Sequence, residues 1–279
     1  MTCPNRLFVA KKPPFIGSNA YLTRLKRLYG VKKAGFSGTL DPFASGVLIV
    51  AFGQYTKLFR FLDKTPKTYR ATLWLGAHSK TLDIEGIDRI EAVPPFSRQR
   101  IETTLQNFVG PLTYTPPRYS AKKIGGRRAY DLARRGETPT LPTCTSTIHT
   151  IRLLHYRHPF VTFEAEVSEG TYIRSLAEMI AKRLGVNGSL SYLERLGEGR
   201  FVFENERPLD PRHFLAPPPN RYLGDSKDLE LGKKVVATAF ENSEPGTYTV
   251  SFEPYFAIIE IDNEGQVRYL LNKVKLCSY

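Results

Sequence analysis

Hydrophobic positions along the chain fall into three kinds of run. Two runs alternate with period two. Thr68 to Leu75 places Tyr69, Ala71, Leu73 and Leu75 on one face, and Val161 to Ser168 does the same with Val161, Phe163, Ala165 and Val167. Both predict strands with one buried face. A third run is continuous. Val47 to Phe52 (VLIVAF) is apolar throughout and bounded by Gly46 and Gly53, as in a strand buried on both faces. The remaining runs have helical spacing. Ser18 to about Tyr29 carries Leu22, Leu25 and Leu28 on one side, with Ser18 as the expected cap. Ser97 is expected to cap a helix through Ile101, Leu105, Phe108 and Val109, ended by Gly110-Pro111. Thr171 to Gly185 buries Ile173, Leu176, Ala177, Ile180, Ala181 and Leu184.

The pattern changes after residue 207. Pro208 to Asn220 (PLDPRHFLAPPPN) reads as a linker over 208–221. Short strands are predicted beyond it, at Lys233 to Thr238, Thr247 to Phe252, Phe256 to Ile261 and Gln266 to Leu271, with a hairpin turn at Asp262 to Gly265. The expected organisation is a main domain over 1–207 and a small β domain over 222–279.

Composition narrows the function. No apolar stretch approaches the roughly 18 residues of a membrane span. The N-terminus lacks a signal-peptide pattern, so a cytoplasmic protein is expected. Cys3, Cys144 and Cys277 are scattered and read as reduced thiols. The net charge of +13 calls for a polyanionic partner, most simply nucleic acid. Tyr114 to Gly136 (YTPPRYSAKKIGGRRAYDLARRG) concentrates Lys and Arg with three tyrosines and suits an RNA backbone. Its second half, Arg127 to Arg135, is expected to be a short basic helix.

Candidate chemistry reduces mainly by exclusion. His155 and His158 are close together, but no carboxylate or cysteine completes a ligand set, so no metal site is expected. GxxxxGK[ST], GxGxxG and GxSxG are absent. One carboxylate stands out. Asp41 precedes Pro42 and lies between the glycine-punctuated GFSG turn and the VLIVAF strand. Two readings stay open on these residues: a turn-forming Asp, or a nucleophile toward a sugar anomeric carbon or an electrophilic base carbon. The second needs the carboxylate ionised in a desolvated site, which a neighbouring guanidinium would favour. Arg174, at a strand-to-helix junction and off its helix's buried stripe, is a candidate partner. Asp83 and Glu85, the nearest further carboxylates, lie in a loop with no special context.

Several segments in order along residues 6–205 resemble the TruB family of tRNA pseudouridine synthases. They are GFSGTLDPFASGVLIVAFGQYTKL, KTYRATLWLGAHSKTLDIEG, YTPPRYSAKKIGGRRAYDLARRG, SEGTYIRSLAEMIAKRLG and SYLERLGEGRF. The resemblance implies an α+β fold, with a mixed, mainly antiparallel central sheet flanked by helices. It also implies a PUA-like C-terminal β domain. The implied activity is isomerisation of uridine 55 in the T-loop of tRNA, without cofactor or metal, by base flipping and attack of an Asp. Asp41 matches the catalytic aspartate, Tyr69 the base-stacking tyrosine and Arg174 the arginine paired with the Asp. Tyr172 and Leu193 match residues of the base pocket, and Lys12 lies near its floor. The segment from about 114 to 137 corresponds to an RNA-gripping insertion, with Lys122, Lys123, Arg127 and Arg128 as its cations. The implied partner is the T-arm stem-loop of tRNA, bound by a monomer.

Three positions depart from the family pattern. Phe36 replaces a histidine that lies against the RNA, Lys11 replaces an acidic residue, and Ser79-Lys80 replaces Thr-Asp. These change RNA contacts and leave the chemistry. The competing readings are a non-catalytic RNA-binding or tRNA-folding protein and a glycosidase-type hydrolase, which needs a second carboxylate close to the first.

Overall fold

The computed structural model describes residues 4–120, 123–137 and 141–277. The first half runs β1 (Arg6–Lys12), α1 (Ser18–Leu28), β2 (Ala34–Ser37), β3 (Ser45–Phe52), β4 (Lys67–Leu75), β5 (Ala77–Ser79), β6 (Ile87–Ile90), α2 (Arg98–Gln106) and β7 (Gly110–Tyr114). The basic segment folds as β8 (Lys123–Ile124), β9 (Arg127–Arg128) and α3 (Ala129–Arg134). Then come β10 (Cys144–Arg157), β11 (Phe160–Val167), α4 (Ile173–Leu184), β12 (Gly188–Glu198) and β13 (Phe201–Val202). The chain finishes with β14 (Pro219–Asn220), α5 (Ser226–Glu230), β15 (Gly246–Phe252), β16 (Tyr255–Ile261) and β17 (Val267–Lys275).

The central sheet has the order β1-β3-β12-β4-β11-β10-β7, with β2 added on β3 and β13 on β12. Its pairs are antiparallel except β12 on β3, so the sheet is mixed and mainly antiparallel, as expected. Every residue of β3 is buried, because both of its faces are covered. Val47, Ile49 and Ala51 pack with Leu7 and Val9, while Leu48, Val50 and Phe52 pack with Phe8, Ala10 and Leu25 of α1. In β4 the buried positions alternate, and Tyr69, Ala71, Leu73 and Leu75 meet the apolar stripe of α4.

No side chain caps the start of α4. A cap contributes about 1 kcal/mol, whereas each fully buried Leu or Ile contributes about 1.5–3 kcal/mol. The stripe Ile173, Leu176, Ile180 and Leu184 therefore decides that the helix forms. Gly185, left-handed at φ 83°, ends it.

The C-terminal sheet has the order β14-β15-β16-β17. Phe256, Ile258 and Val274 share a core with Leu7, Val9 and Ile49, so this sheet packs on the outer face of β1 and β3. Within the Pro-rich stretch, Asp210 caps a short turn over Pro211–Phe214, and β14 pairs in parallel with β15.

Three sequence expectations need correction. Ser18 does not cap α1. Its hydroxyl donates to Leu40 O and accepts from Leu40 N, both at 3.0 Å, because the helix start lies against the Asp41 loop. Lys233 to Thr238 is not a strand. Gly232 turns the chain at φ 68°, Lys233 N donates to Asp228 O, and a short turn covers Ala237–Ala239. Cys277 is disulfide-bonded rather than reduced, while Cys144 is a free thiol. The C-terminal tail is carried back to the start of the chain, where Asn5 donates to Lys275 O.

One backbone crossing holds the sheet together beside the Asp41 loop. Gly46 sits at φ 106°, and a Cβ there would lie 2.1 Å from Arg195 O. Gly46→Ala is expected to separate β3 from β12 and cost about 2–4 kcal/mol. At Gly17, the N-cap of α1, a Cβ meets nothing within 4 Å, and Gly17→Ala should cost no more than the loss of a cap, about 1 kcal/mol. Urea unfolding midpoints compare the two, and equal midpoints would refute the close-approach argument.

Candidate active site

Asp41 stands in the irregular turn between β2 and β3, which is closed by Ala44 N donating to Asp41 O at 3.1 Å. Three separate elements pin this turn. Ser18 of α1 holds both backbone polar groups of Leu40. Lys12, fully buried at the end of β1, donates to Pro42 O at 3.1 Å, Pro13 O at 2.9 Å and Ile16 O at 2.7 Å. Arg195 of β12 donates to Gly38 O at 2.7 Å and to Val47 O at 2.9 Å. Gly38 is left-handed at φ 70°, and a Cβ there would lie 2.8 Å from Glu198 Oε1. The GFSG pattern therefore leaves room for a buried ion pair, since Glu198 and Arg195 meet at 2.9 Å.

The Asp41 carboxylate faces Arg174. Nη2 donates to Oδ1 at 3.0 Å, and Nε lies 2.9 Å from Oδ2. The same guanidinium donates to Asp83 Oδ2 at 3.2 Å, Thr81 O at 2.7 Å and Tyr119 O at 2.7 Å. An arginine has five N–H donors in a fixed plane; four of them donate hydrogen bonds here, and the fifth, on Nε, meets Asp41 Oδ2 as an ion pair without hydrogen-bond geometry. Arg174 is 3% exposed, although it lies off the apolar stripe of α4. Its polar partners, not apolar packing, account for its burial.

Asp83 is the residue that sequence reasoning passes over. It is 3% exposed, caps the turn Ile84–Gly86 by accepting from Glu85 N, and accepts from Thr81 Oγ1 at 2.6 Å. Its one local signal is a place ahead of a tight Ile-Glu-Gly turn. Nothing in the sequence shows that this turn folds under Arg174.

A cavity of about 240 Å³ opens on Asp41 and is lined by Tyr69, Tyr172, Arg174, Leu193, Lys67 and Arg195, among others. Asp41, Tyr69, Tyr172, Arg174 and Leu193, all expected site residues, thus converge. Tyr69 and Leu193 are buried wall residues. Tyr172 immediately precedes α4, and its N–H donates to Tyr114 Oη at 2.8 Å, leaving its ring on the cavity wall. Lys12 lies behind the turn rather than in the wall. Phe36, in β2, packs against the cluster of Phe8, Leu25 and Val50 and does not line the cavity.

Arg127 is exposed. Lys122 lies outside the described residues, as do the side chains of Lys123 and Arg128. The basic segment nevertheless reaches the site through its backbone, since Tyr119 O accepts from Arg174.

Electrostatics in the site oppose one another. Burial pushes the Asp41 carboxyl above its ordinary value. Arg174 and Lys12 pull it down, and Asp83 pushes it up. Burial lowers the Lys12 ammonium to about 8, against the attraction of Asp41. Burial likewise raises the Tyr172 phenol. Among the described residues no group of three or more His, Cys, Asp or Glu is placed to hold a metal ion, and no described helix is long and apolar enough to cross a membrane.

The chain is similar to known proteins along nearly its whole length. Residues 26–173 match the family model of the TruB family pseudouridylate synthase N-terminal domain. The tRNA pseudouridine synthase B of a Nitratiruptor species is 57% identical over 270 residues, covering 97% of this chain and 98% of that one. The protein of the same name from Campylobacter jejuni (strain RM1221) is 49% identical, covering 98% of this chain and 100% of its own. Among solved structures, a Cbf5-Nop10-Gar1 complex matches with TM-score 0.65 over 97% of this chain and 84% of that one. At 19% identity this likeness shows the fold alone. The chain belongs to the TruB family of pseudouridylate synthases.

Proposed function

We propose that the protein isomerises uridine 55 in the T-loop of tRNA to pseudouridine, with Asp41 as the attacking group. The observation that carries this reading is the Asp41 carboxylate, held on two sides by the buried Arg174 at the mouth of a cavity with tyrosine walls. The relatives' names supply the class of substrate, and the net charge of +13 suits a polyanion.

A stacked uridine hides its glycosidic bond, so the base must first leave the stack and enter the cavity. Arg174 orients the Asp41 carboxylate and favours its charged form against burial. An Asp41 oxygen bonds to the nucleotide, the N1–C1′ bond breaks and its electron pair leaves with the base, the base turns, C5 bonds to C1′, and the Asp41–nucleotide bond breaks to free the carboxylate. C5 then loses its proton and N1 gains one, so product and substrate are isomers. Tyr69 stacks on the base and assists removal of the C5 proton, while Tyr172 and Leu193 enclose it. Lys12 supports the turn, and Phe36 keeps an apolar contact beside the RNA path. Lys122, Lys123, Arg127 and Arg128 grip the T-arm backbone. The enzyme acts as a cytoplasmic monomer and needs no cofactor or metal.

Asp41→Asn should abolish pseudouridine formation on an unmodified tRNA transcript while tRNA affinity stays within about tenfold, ~1.4 kcal/mol. Retained activity would remove Asp41 from the mechanism. Retained binding with no activity in the unaltered protein would instead favour the non-catalytic RNA-binding reading.

The reaction needs ionised Asp41, and burial raises its pKa. Single-turnover rates should therefore fall on the acid side at a pH above the ordinary carboxylate value of about 3.9. Asp83 contributes to the raising, so Asp83→Asn should move this acid limb to lower pH. A limb that stays put or moves upward would contradict the electrostatic account.

Replacing Lys122, Lys123, Arg127 and Arg128 with Gln should weaken tRNA binding. It should also flatten the salt dependence, by about 0.7–0.9 log units for each phosphate no longer neutralised. An unchanged slope would take this segment out of the RNA interface.

A further inference from the structure

The cavity carries a charged group that the uridine chemistry leaves unused. Glu169 stands in the turn between β11 and α4, on the cavity wall, with its side chain 54% exposed. Its Oε1 lies 3.5 Å from Lys64 Nζ and 3.8 Å from Lys67 Nζ. Both lysines are largely enclosed, at 16% and 8% exposure. Lys64 also donates to Ser37 Oγ at 3.2 Å. Lys67 lies 3.0 Å from the fully buried Glu198, which Arg195 meets from its other side.

The charges do not balance. Lys64, Lys67 and Arg195 face Glu198 and Glu169, an excess of one positive charge (three minus two). Without Glu169 the excess is two. Glu169 is also held loosely, since tight charge-assisted contacts run about 2.7–2.9 Å and exposed ion pairs contribute little. An exposed, loosely held carboxylate on two enclosed lysines behaves as a replaceable anion.

We propose that Lys64 and Lys67 form a phosphodiester subsite at the cavity rim. Glu169 fills this subsite in the free protein, and a backbone phosphate beside the flipped uridine takes it over on binding. This inference rests on the RNA-modifying reading above. A phosphodiester carries the same single negative charge as the carboxylate, so the exchange restores the resting balance. The exposed side of Glu169 is open to an incoming strand. Glu169 thereby competes with every RNA, and only a substrate that also fills the cavity displaces it at full affinity.

Equilibrium titration of an unmodified tRNA transcript tests this with the full-length protein, Glu169→Gln, Lys64→Gln and the double variant. Glu169→Gln should bind about fivefold more tightly at about 50 mM salt, the equivalent of ~1 kcal/mol. That gain should shrink at about 200 mM and vanish when Lys64→Gln is added, a coupling that a double-mutant cycle measures. An unchanged Kd for Glu169→Gln, a gain indifferent to salt, or a gain that survives intact in the double variant would overturn the subsite. If the unaltered protein neither binds nor isomerises the transcript, the proposed function falls and the subsite with it. If it does both while Glu169→Gln leaves Kd unchanged, the subsite alone falls.

Discussion

The guanidinium of Arg174 is the constraint on which the rest of the site depends. Five oxygens surround it, from two carboxylates and two backbone carbonyls. Those oxygens belong to the Asp41 turn, the Thr81–Asp83 loop and the basic segment at Tyr119. A buried guanidinium with a missing partner is costly, several kcal/mol when one side of a buried pair is removed. The three loops are therefore not free to move independently. The rigid α4, bound to the sheet by its apolar stripe, supplies the fixed point.

The Asp41 turn is built to need little of its own structure. Its neighbours carry it: Ser18 through Leu40, Lys12 through Pro42, and Arg195 through Gly38. The sheet's parallel junction, where Gly46 lies against Arg195, sets the distance between the turn and the cavity floor. Burial opposes the charge of Asp41, while Arg174 and Lys12 support it. The site thus combines a carboxylate poised above its ordinary pKa with an arginine that fixes where its oxygens point.

Much of this is legible in the residues. VLIVAF announces a strand buried on both faces, and β3 is buried throughout. The alternation of β4 and the stripe of α4 place Tyr69 and Arg174 on elements that do meet. Asp83 escapes such reading because its importance lies in a contact across 91 residues that leaves no local pattern. Ser18 reads as a cap because a serine before a helix usually serves the helix, and here it serves a loop 22 residues on. Lys233 to Thr238 has strand-like composition, but Gly232 and the Lys233–Asp228 ion pair hold it as a turn. Local periodicity reports burial, and it is silent on which polar group meets which.

Gly38 and Arg195 are 157 residues apart in the chain, and Asp41 and Arg174 are 133 apart. During synthesis, at about 5–20 residues per second, the Asp41 turn is made early and waits on the order of ten seconds for the partners that hold it. The nascent N-terminal part carries its basic α1 and its carboxylate but lacks the arginines that charge and orient it. β12, made after both β3 and β4, lies between them in the sheet and brings Arg195 to the turn. A chain that ends before residue 174 has the aspartate without the guanidinium that orients it.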